Sequence, residues 1–126
     1  MDYDRRNNSK CLILYHIILV TKYRRNILYL FNIKDIFKDI LGVSLLEVEI
    51  DKNHIHLLVK CTPNISPSQL IHTLKSKSTN RCWKLYPQIL SKYFWKHKVL
   101  WSNGYFICTI GNASIDTIKN YIRNQG

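Results

Sequence analysis

At 126 residues, 46% of them hydrophobic and 21% charged, the chain is long enough for one domain with a core and too short for two. Lys and Arg outnumber Asp and Glu by 19 to 8, a formal charge of +11 that favours a polyanionic partner and excludes a disordered, core-less composition only in combination with the apolar content. No apolar run approaches the roughly 20 residues that span a bilayer, which places nucleic acid ahead of a membrane as that partner.

Arg5, Arg6 and Lys10 precede the apolar run Cys11–Val20, as the charged and apolar regions of a signal peptide would. Tyr15 and His16 interrupt the run, however, and Thr21-Lys22-Tyr23-Arg24-Arg25 stands where a small-residue cleavage site belongs. The run therefore reads as a buried strand, apolar on both faces and central in its sheet. A helix follows over Ile33–Leu41, with Asn32 as its cap, Ile33, Ile36, Phe37 and Ile40 as its apolar stripe, and Gly42 as its stop. Leu45–Ile50 and His54–Cys61 read as strands around the polar turn Asp51-Lys52-Asn53. Ser66, Pro67 and Gln69 form a capping box with proline at the first helical position, opening a helix that runs to about Tyr86, before Pro87.

Val99–Ser102 and Tyr105–Thr109 flank Asn103-Gly104, a strong hairpin signal. A last helix from about Ser114 turns Ile115, Ile118 and Ile122 inward, with Tyr121 and Gln125 together on a neighbouring face. The order β-α-β-β-α-β-β-α predicts an α+β fold over residues 1–126: an antiparallel sheet flanked by helices, as in ferredoxin-like or RRM-like sandwiches. Cys11, Cys61, Cys82 and Cys108 stand singly among apolar neighbours without zinc spacing, which predicts free thiols in a reducing, cytoplasmic setting.

Two fragments carry chemistry. His54-Ile55-His56 puts two imidazoles on one face of a strand, while Ile55, Leu57 and Val59 bury the other face. Two ligands are one short of a useful metal site, and Gln125 is a candidate for the third. Tyr121, four residues before Gln125 on the same helical face, is a candidate nucleophile. A phenol with a pKa of about 10 is ionised in roughly one molecule in a thousand near neutral pH, so such a nucleophile gains from a cation beside the phosphate it attacks. Tyr15, Tyr86, Tyr93 and Tyr105 sit in apolar or aromatic contexts and read as structural. Lys77, Arg81 and Lys84 share one helix face, and Lys22, Arg24 and Arg25 follow the first strand; both groups are candidate phosphate contacts. Trp83, Trp95 and Trp101 have apolar spacings typical of core residues, although tryptophans can also stack on unpaired bases.

Asn53-His54-Ile55-His56-Leu57-Leu58-Val59 resembles the HUH motif (U being hydrophobic) of the single-tyrosine transposases of small bacterial and archaeal insertion sequences. The resemblance extends along nearly the whole chain. Tyr15 to Arg25 is similar to the opening strand and basic turn of that family, and Leu74-Lys75-Ser76-Lys77-Ser78 to its basic helix. Leu100 to Phe106 is similar to its late hairpin, and Tyr121 to Gln125 to its tyrosine helix. The resemblance implies cleavage and rejoining of single-stranded DNA at hairpin-bearing element ends, by a homodimer, through a 5′-phosphotyrosine on Tyr121. His54, His56 and Gln125 would hold Mg²⁺ or Mn²⁺, and no nucleotide cofactor is implied. The last helix of that family usually continues past the tyrosine, whereas this sequence stops one residue after Gln125, which predicts weaker docking of that helix. Two alternatives are a related HUH nickase of the replication-initiator or relaxase type, and a noncatalytic single-strand nucleic-acid-binding module, which metal dependence would separate from the enzyme.

Overall fold

The computed structural model describes residues 12–38, 40 and 43–110. Strand β1 (Ile13–Thr21) leads through two single 3₁₀ turns, Lys22–Arg24 and Leu28–Leu30, to helix α1 (Ile33–Phe37). Strands β2 (Val43–Ile50) and β3 (His54–Cys61) follow, then helices α2 (Pro67–Leu85) and α3 (Pro87–Tyr93), and finally strand β4 (Trp101–Ile110). The strands form one sheet in the order β2-β3-β1-β4, and every neighbouring pair is antiparallel. This is the expected α+β architecture, with β1 in the interior of the sheet.

The alternation of side chains along each strand creates two unlike faces. Tyr15, Ile17 and Leu19 of β1 and Ile55, Leu57 and Val59 of β3 are buried in one cluster with Ile36, Phe37, Leu70, Leu74, Cys82 and Leu90 from the helices. Each fully buried aliphatic side chain there contributes about 1.5–3 kcal/mol. The opposite face carries His16 and Ile18 of β1 and His54, His56 and Leu58 of β3, and Leu58 forms a separate apolar cluster with Leu14, Leu46 and Ile110. All helices of the main cluster thus lie behind the sheet as seen from the histidines.

Helix α2 starts as its sequence predicts. The Ser66 hydroxyl accepts from the Gln69 amide at 3.2 Å, and the Gln69 side chain accepts from the Ser66 amide at 3.0 Å. Helix α1 is shorter than expected, because Lys38 is already extended (φ −67°, ψ 144°). Its cap also differs: the Asn32 amide group donates to the Asp35 carboxylate at 2.9 Å and makes no bond to the first-turn backbone. The guanidinium of Arg81 closes the other end, its Nη1 donating to the carbonyls of Asp35, Ile36 and Lys38. Gly42 and the expected helix from Ser114, with Tyr121 and Gln125, lie outside the described residues.

The expected hairpin at Asn103-Gly104 is not formed. Trp101–Ile110 is one continuous strand, so the five strands read from the sequence are four. Leu19 faces Tyr105 and Thr21 faces Trp101, so two steps along β1 oppose four along β4; Ser102, Asn103 and Gly104 form a bulge rather than a turn. The Lys75 ammonium explains its persistence, donating to the carbonyls of Ser102 at 2.8 Å and Asn103 at 3.2 Å. Helix α3, absent from the order expected on sequence grounds, begins at Pro87, directly after Tyr86, the residue that caps the end of α2.

Among the described residues no helix is long and apolar enough to cross a membrane. Cys61, Cys82 and Cys108 are free thiols, and burial pushes the thiol of Cys82 up to about 12.

Candidate active site

His54 and His56 occupy β3 two residues apart, on the face away from the helices, with ring centroids 5.2 Å apart. His56 is buried, whereas the His54 side chain is 28% exposed. Each ring is held at its Nδ1. Asn53 Oδ1 lies 3.0 Å from His54 Nδ1, and an amide oxygen only accepts, so the proton of that ring sits on Nδ1. His56 Nδ1 lies 3.2 Å from Nε2 of His16, whose ring stacks on it at a centroid distance of 5.4 Å and a 17° tilt. His16 projects from β1 onto the same face, because Ile18 pairs with His56 and His16 with Leu58. Phe106 of β4 packs edge-on against His16 at 5.9 Å.

Burial holds His16 below its ordinary imidazole value, and His56 is lowered first by burial and then by the charges of His16 and His54, against an opposing pull from Asp51. Both rings are therefore neutral near pH 7, the form that offers a lone pair to a cation. The Asp51 carboxylate approaches His54 Nε2 at 3.7 Å. Among the described residues no three His, Cys, Asp or Glu side chains converge as a metal site. The two imidazoles nonetheless fit a divalent ion as a partial ligand set: they are neighbours on one face of β3, and each has its Nδ1 already engaged by a side chain, leaving Nε2 for ligation. Tyr121 and Gln125, the expected nucleophile and third ligand, lie outside the described residues.

The turn after β1 is tied to the same strand. Thr21 donates its amide to Asn53 O at 2.9 Å, and its hydroxyl donates to Arg25 O at 2.8 Å with Asn53 O alongside at 3.2 Å. The Lys22 amide donates to Leu100 O at 2.8 Å. Between these anchors Tyr23 and Arg24 take left-handed backbone conformations (φ 58° and 54°), each costing roughly 1–2 kcal/mol for a residue with a side chain. Lys22 and Arg25 lie against the Tyr23 ring, their charged atoms 5.6 and 6.0 Å from its centroid.

The six candidate phosphate contacts divide by environment. Lys22, Arg24 and Arg25 surround this turn; Lys77 and Lys84 are exposed on α2, and Arg81 between them is engaged by the end of α1. Of the tryptophans, Trp101 is buried with its indole donating to Ser78 Oγ at 2.8 Å, and Trp83 donates to Val99 O at 2.9 Å. Trp95, grouped with them by its apolar spacing, is instead 76% exposed. Neither His16 nor Asn53 carries a role on sequence grounds alone. His16 was the one signal available, a polar residue inside an otherwise apolar strand.

The family described as Transposase IS200 like matches residues 9–125. Over 117 residues the chain is 32% identical to the ISDra2 transposase TnpA of Deinococcus radiodurans, covering 88% of this chain and 82% of that one. It is 30% identical over 117 residues to the transposase for insertion sequence element IS200 of Salmonella typhimurium, covering 88% and 75%. A transposase crystal structure from Deinococcus radiodurans R1 superposes with a TM-score of 0.72 at 30% identity, covering 99% of this chain and 98% of that one. A REP-associated tyrosine transposase bound to a REP hairpin shares the fold, with a TM-score of 0.52 at 14% identity, covering 98% of this chain and 68% of that one. With the family match running through the first strand, the paired histidines and the C-terminal tyrosine alike, this chain belongs to the IS200-like transposases.

Proposed function

We propose that this transposase cleaves and rejoins single-stranded DNA at insertion-sequence ends with Tyr121 as nucleophile and a divalent ion held by His54, His56 and Gln125. The observation that supports it most is the pair of imidazoles on one face of β3, each with Nδ1 engaged, in a chain of this family. Mn²⁺ suits two imidazoles and an amide oxygen somewhat better than Mg²⁺. When bound, the cation polarises the scissile phosphate and stabilises charge on the leaving oxygen.

The chain's own residues supply the rest. The Tyr121 hydroxyl gives its proton to water and its oxygen forms a bond to phosphorus; the bond to the 3′ oxygen breaks, and that oxygen takes a proton from water as a free 3′-OH. A second 3′-OH then attacks the phosphotyrosine, forming a new phosphodiester and returning the phenol. The number of ester bonds is unchanged throughout, so no nucleotide hydrolysis is required. His16 and Asn53 act as positioning residues, fixing which nitrogen of His56 and His54 carries the proton. Lys22, Arg24, Arg25, Lys77, Arg81 and Lys84 contribute the positive surface that draws in the DNA backbone.

We place two copies in the working enzyme. Among the described residues strand β4 forms one edge of the sheet, and this strand, with Tyr105 and Phe106 about half exposed, is a surface that a second copy can cover. Sedimentation of the free protein tests this, with a concentration-independent monomer as the contrary result.

Incubation of the protein with labelled single-stranded element ends and Mg²⁺ or Mn²⁺, followed by denaturing electrophoresis, tests the chemistry. A covalent protein–DNA band is expected, absent with chelator and absent in Tyr121→Phe. A band that survives in Tyr121→Phe removes that residue as nucleophile, and metal-independent DNA binding with no adduct supports the noncatalytic binding module.

A further inference from the structure

The turn after β1 faces the irregular segment between α3 and β4 across a cleft of about 480 Å³, within the size range of small-ligand pockets. Lys22, Tyr23 and Arg25 line one side, and Phe94, Trp95 and Lys96 are among the residues lining the other. Among the described residues no carboxylate lines it. Tyr23 and Trp95 are 69% and 76% exposed, although both are large aromatics that folding normally covers. Each already has a cation over its ring: Lys22 and Arg25 by Tyr23, and Lys96 at 5.4 Å from the Trp95 centroid. The ring of Tyr23 also leans on that of buried Phe94, at 6.4 Å, so the turn and the segment are in register with each other.

This cleft is separate from the paired histidines and serves none of the bond-breaking steps above. Exposed aromatic faces flanked by cations, with no acid among the described lining residues, match the chemistry of an unpaired nucleobase between its phosphates. A fully paired duplex matches poorly, since its bases present no free face. The left-handed backbone at Tyr23 and Arg24 adds a second indication. Such conformations persist where surrounding bonds over-determine them, and here Thr21, Asn53 and Leu100 hold the turn so that the Tyr23 ring stands in the cleft.

We infer that the cleft lined by Tyr23 and Trp95 holds one unpaired base of the DNA strand, stacked on those rings, with the adjoining phosphates on Lys22, Arg25 and Lys96. The inference rests on DNA being the partner, and it deepens that reading by assigning a site for a base that is neither paired nor undergoing cleavage.

Anisotropy titration of the full chain with a labelled oligo-dT of about 16 nucleotides, the same strand carrying abasic positions, and a blunt duplex tests it. Wild type is expected to bind the intact strand more tightly than the abasic one. Trp95→Ala is expected to lose roughly 5- to 150-fold on the intact strand and to erase the preference over the abasic strand, with little change on the duplex. Tyr23→Asn keeps a residue tolerant of the left-handed turn while removing the ring, and is expected to act in the same direction. Lys96→Ala is expected to lower the slope of log affinity against log salt by about one on every probe. Far-ultraviolet circular dichroism and melting curves identify any variant that fails to fold; Trp95→Phe, which keeps a smaller ring, is the second readout and is expected to retain part of the preference. Equal losses on strand, abasic strand and duplex, or no loss at all in folded Trp95→Ala, would overturn the inference. The titration needs no cleavage, so a base-dependent preference without a covalent adduct would reject the proposed chemistry and leave this site standing, whereas an adduct without the preference would do the reverse.

Discussion

Replacing His16 isolates what the buried ring does for its neighbour. In the folded chain His16 Nε2 is 3.2 Å from His56 Nδ1, and both rings are neutral near pH 7. If His56 donates from Nδ1, its Nε2 carries the lone pair that can reach a metal; the opposite arrangement would put the proton on Nε2 and block ligation. His16→Phe keeps a planar ring in the stack and removes the acceptor. A buried N–H left without a partner costs about 1–3 kcal/mol, enough to shift the proton from Nδ1 to Nε2. Binding of the ion must then reverse that shift, and the expected loss in Mn²⁺ affinity is about 10- to 100-fold. His16→Gln supplies an acceptor oxygen and should recover part of it. Titration calorimetry with Mn²⁺ gives the affinity, and ¹⁵N spectra of the imidazoles give the tautomer of His56 without any metal. An Nε2-protonated His56 in the wild type, or unchanged affinity in a folded His16→Phe, would rule out this role for His16.

Side-chain contacts elsewhere in the fold set four further expectations. Ser78→Ala should destabilise the fold by about 1–3 kcal/mol in urea titrations, because Ser78 is fully buried and its hydroxyl is the acceptor of the Trp101 indole N–H. Lys75→Met should loosen the bulge, seen as faster amide exchange around Ser102–Gly104, since the ammonium bonds two of its carbonyls. Arg81→Ala should lower the melting temperature by releasing the carbonyls at the end of α1, while exposed Lys77→Ala and Lys84→Ala should leave it unchanged and each lower the salt slope of DNA binding by about one. Finally, the metal-free protein should lose stability on acidification. His16 and His56 have folded-state values below the ordinary 6.5, so as pH falls through 6.5 the unfolded chain takes up protons first, and the loss continues until the lower folded-state values are passed. Melting temperatures across that window check the sign, and a flat or rising profile would contradict it.

The parts of this molecule that were legible in its sequence are those governed by short-range rules. The Ser66–Gln69 box set the start of α2, and the alternation Ile55, Leu57, Val59 set β3 and told which face the histidines would share. The failures have one physical origin, contacts made by residues far away in sequence. Asn103-Gly104 has the local preference for a hairpin, yet the bulge is bonded by Lys75, 28 residues before Asn103. Helix α1 ends early where a guanidinium from α2, over forty residues on, meets its carbonyls. Trp95 resembles Trp83 and Trp101 in local context, but among the described residues only those two find indole partners inside the fold. His16 could not be tied to His56 from spacing, because the register between β1 and β3 decides which ring it meets.

The residue that joins these elements is Asn53. Its carbonyl accepts from the Thr21 backbone at 2.9 Å, with the Thr21 hydroxyl also within reach, and its side-chain oxygen holds His54 Nδ1 at 3.0 Å. The strained turn that presents Tyr23 and the first imidazole of the pair therefore share one support, and neither can be displaced without moving the other's anchor. Asn53→Asp keeps the acceptor and adds a charge that would stabilise protonated His54, whereas Asn53→Ala keeps the carbonyl and removes the side chain. If the two halves depend on different atoms of this residue, Asn53→Ala should weaken Mn²⁺ binding about 10- to 100-fold while leaving the preference for unpaired over paired DNA in place. Loss of both together would mean that the side chain, and not the backbone bond to Thr21, sets the position of the turn.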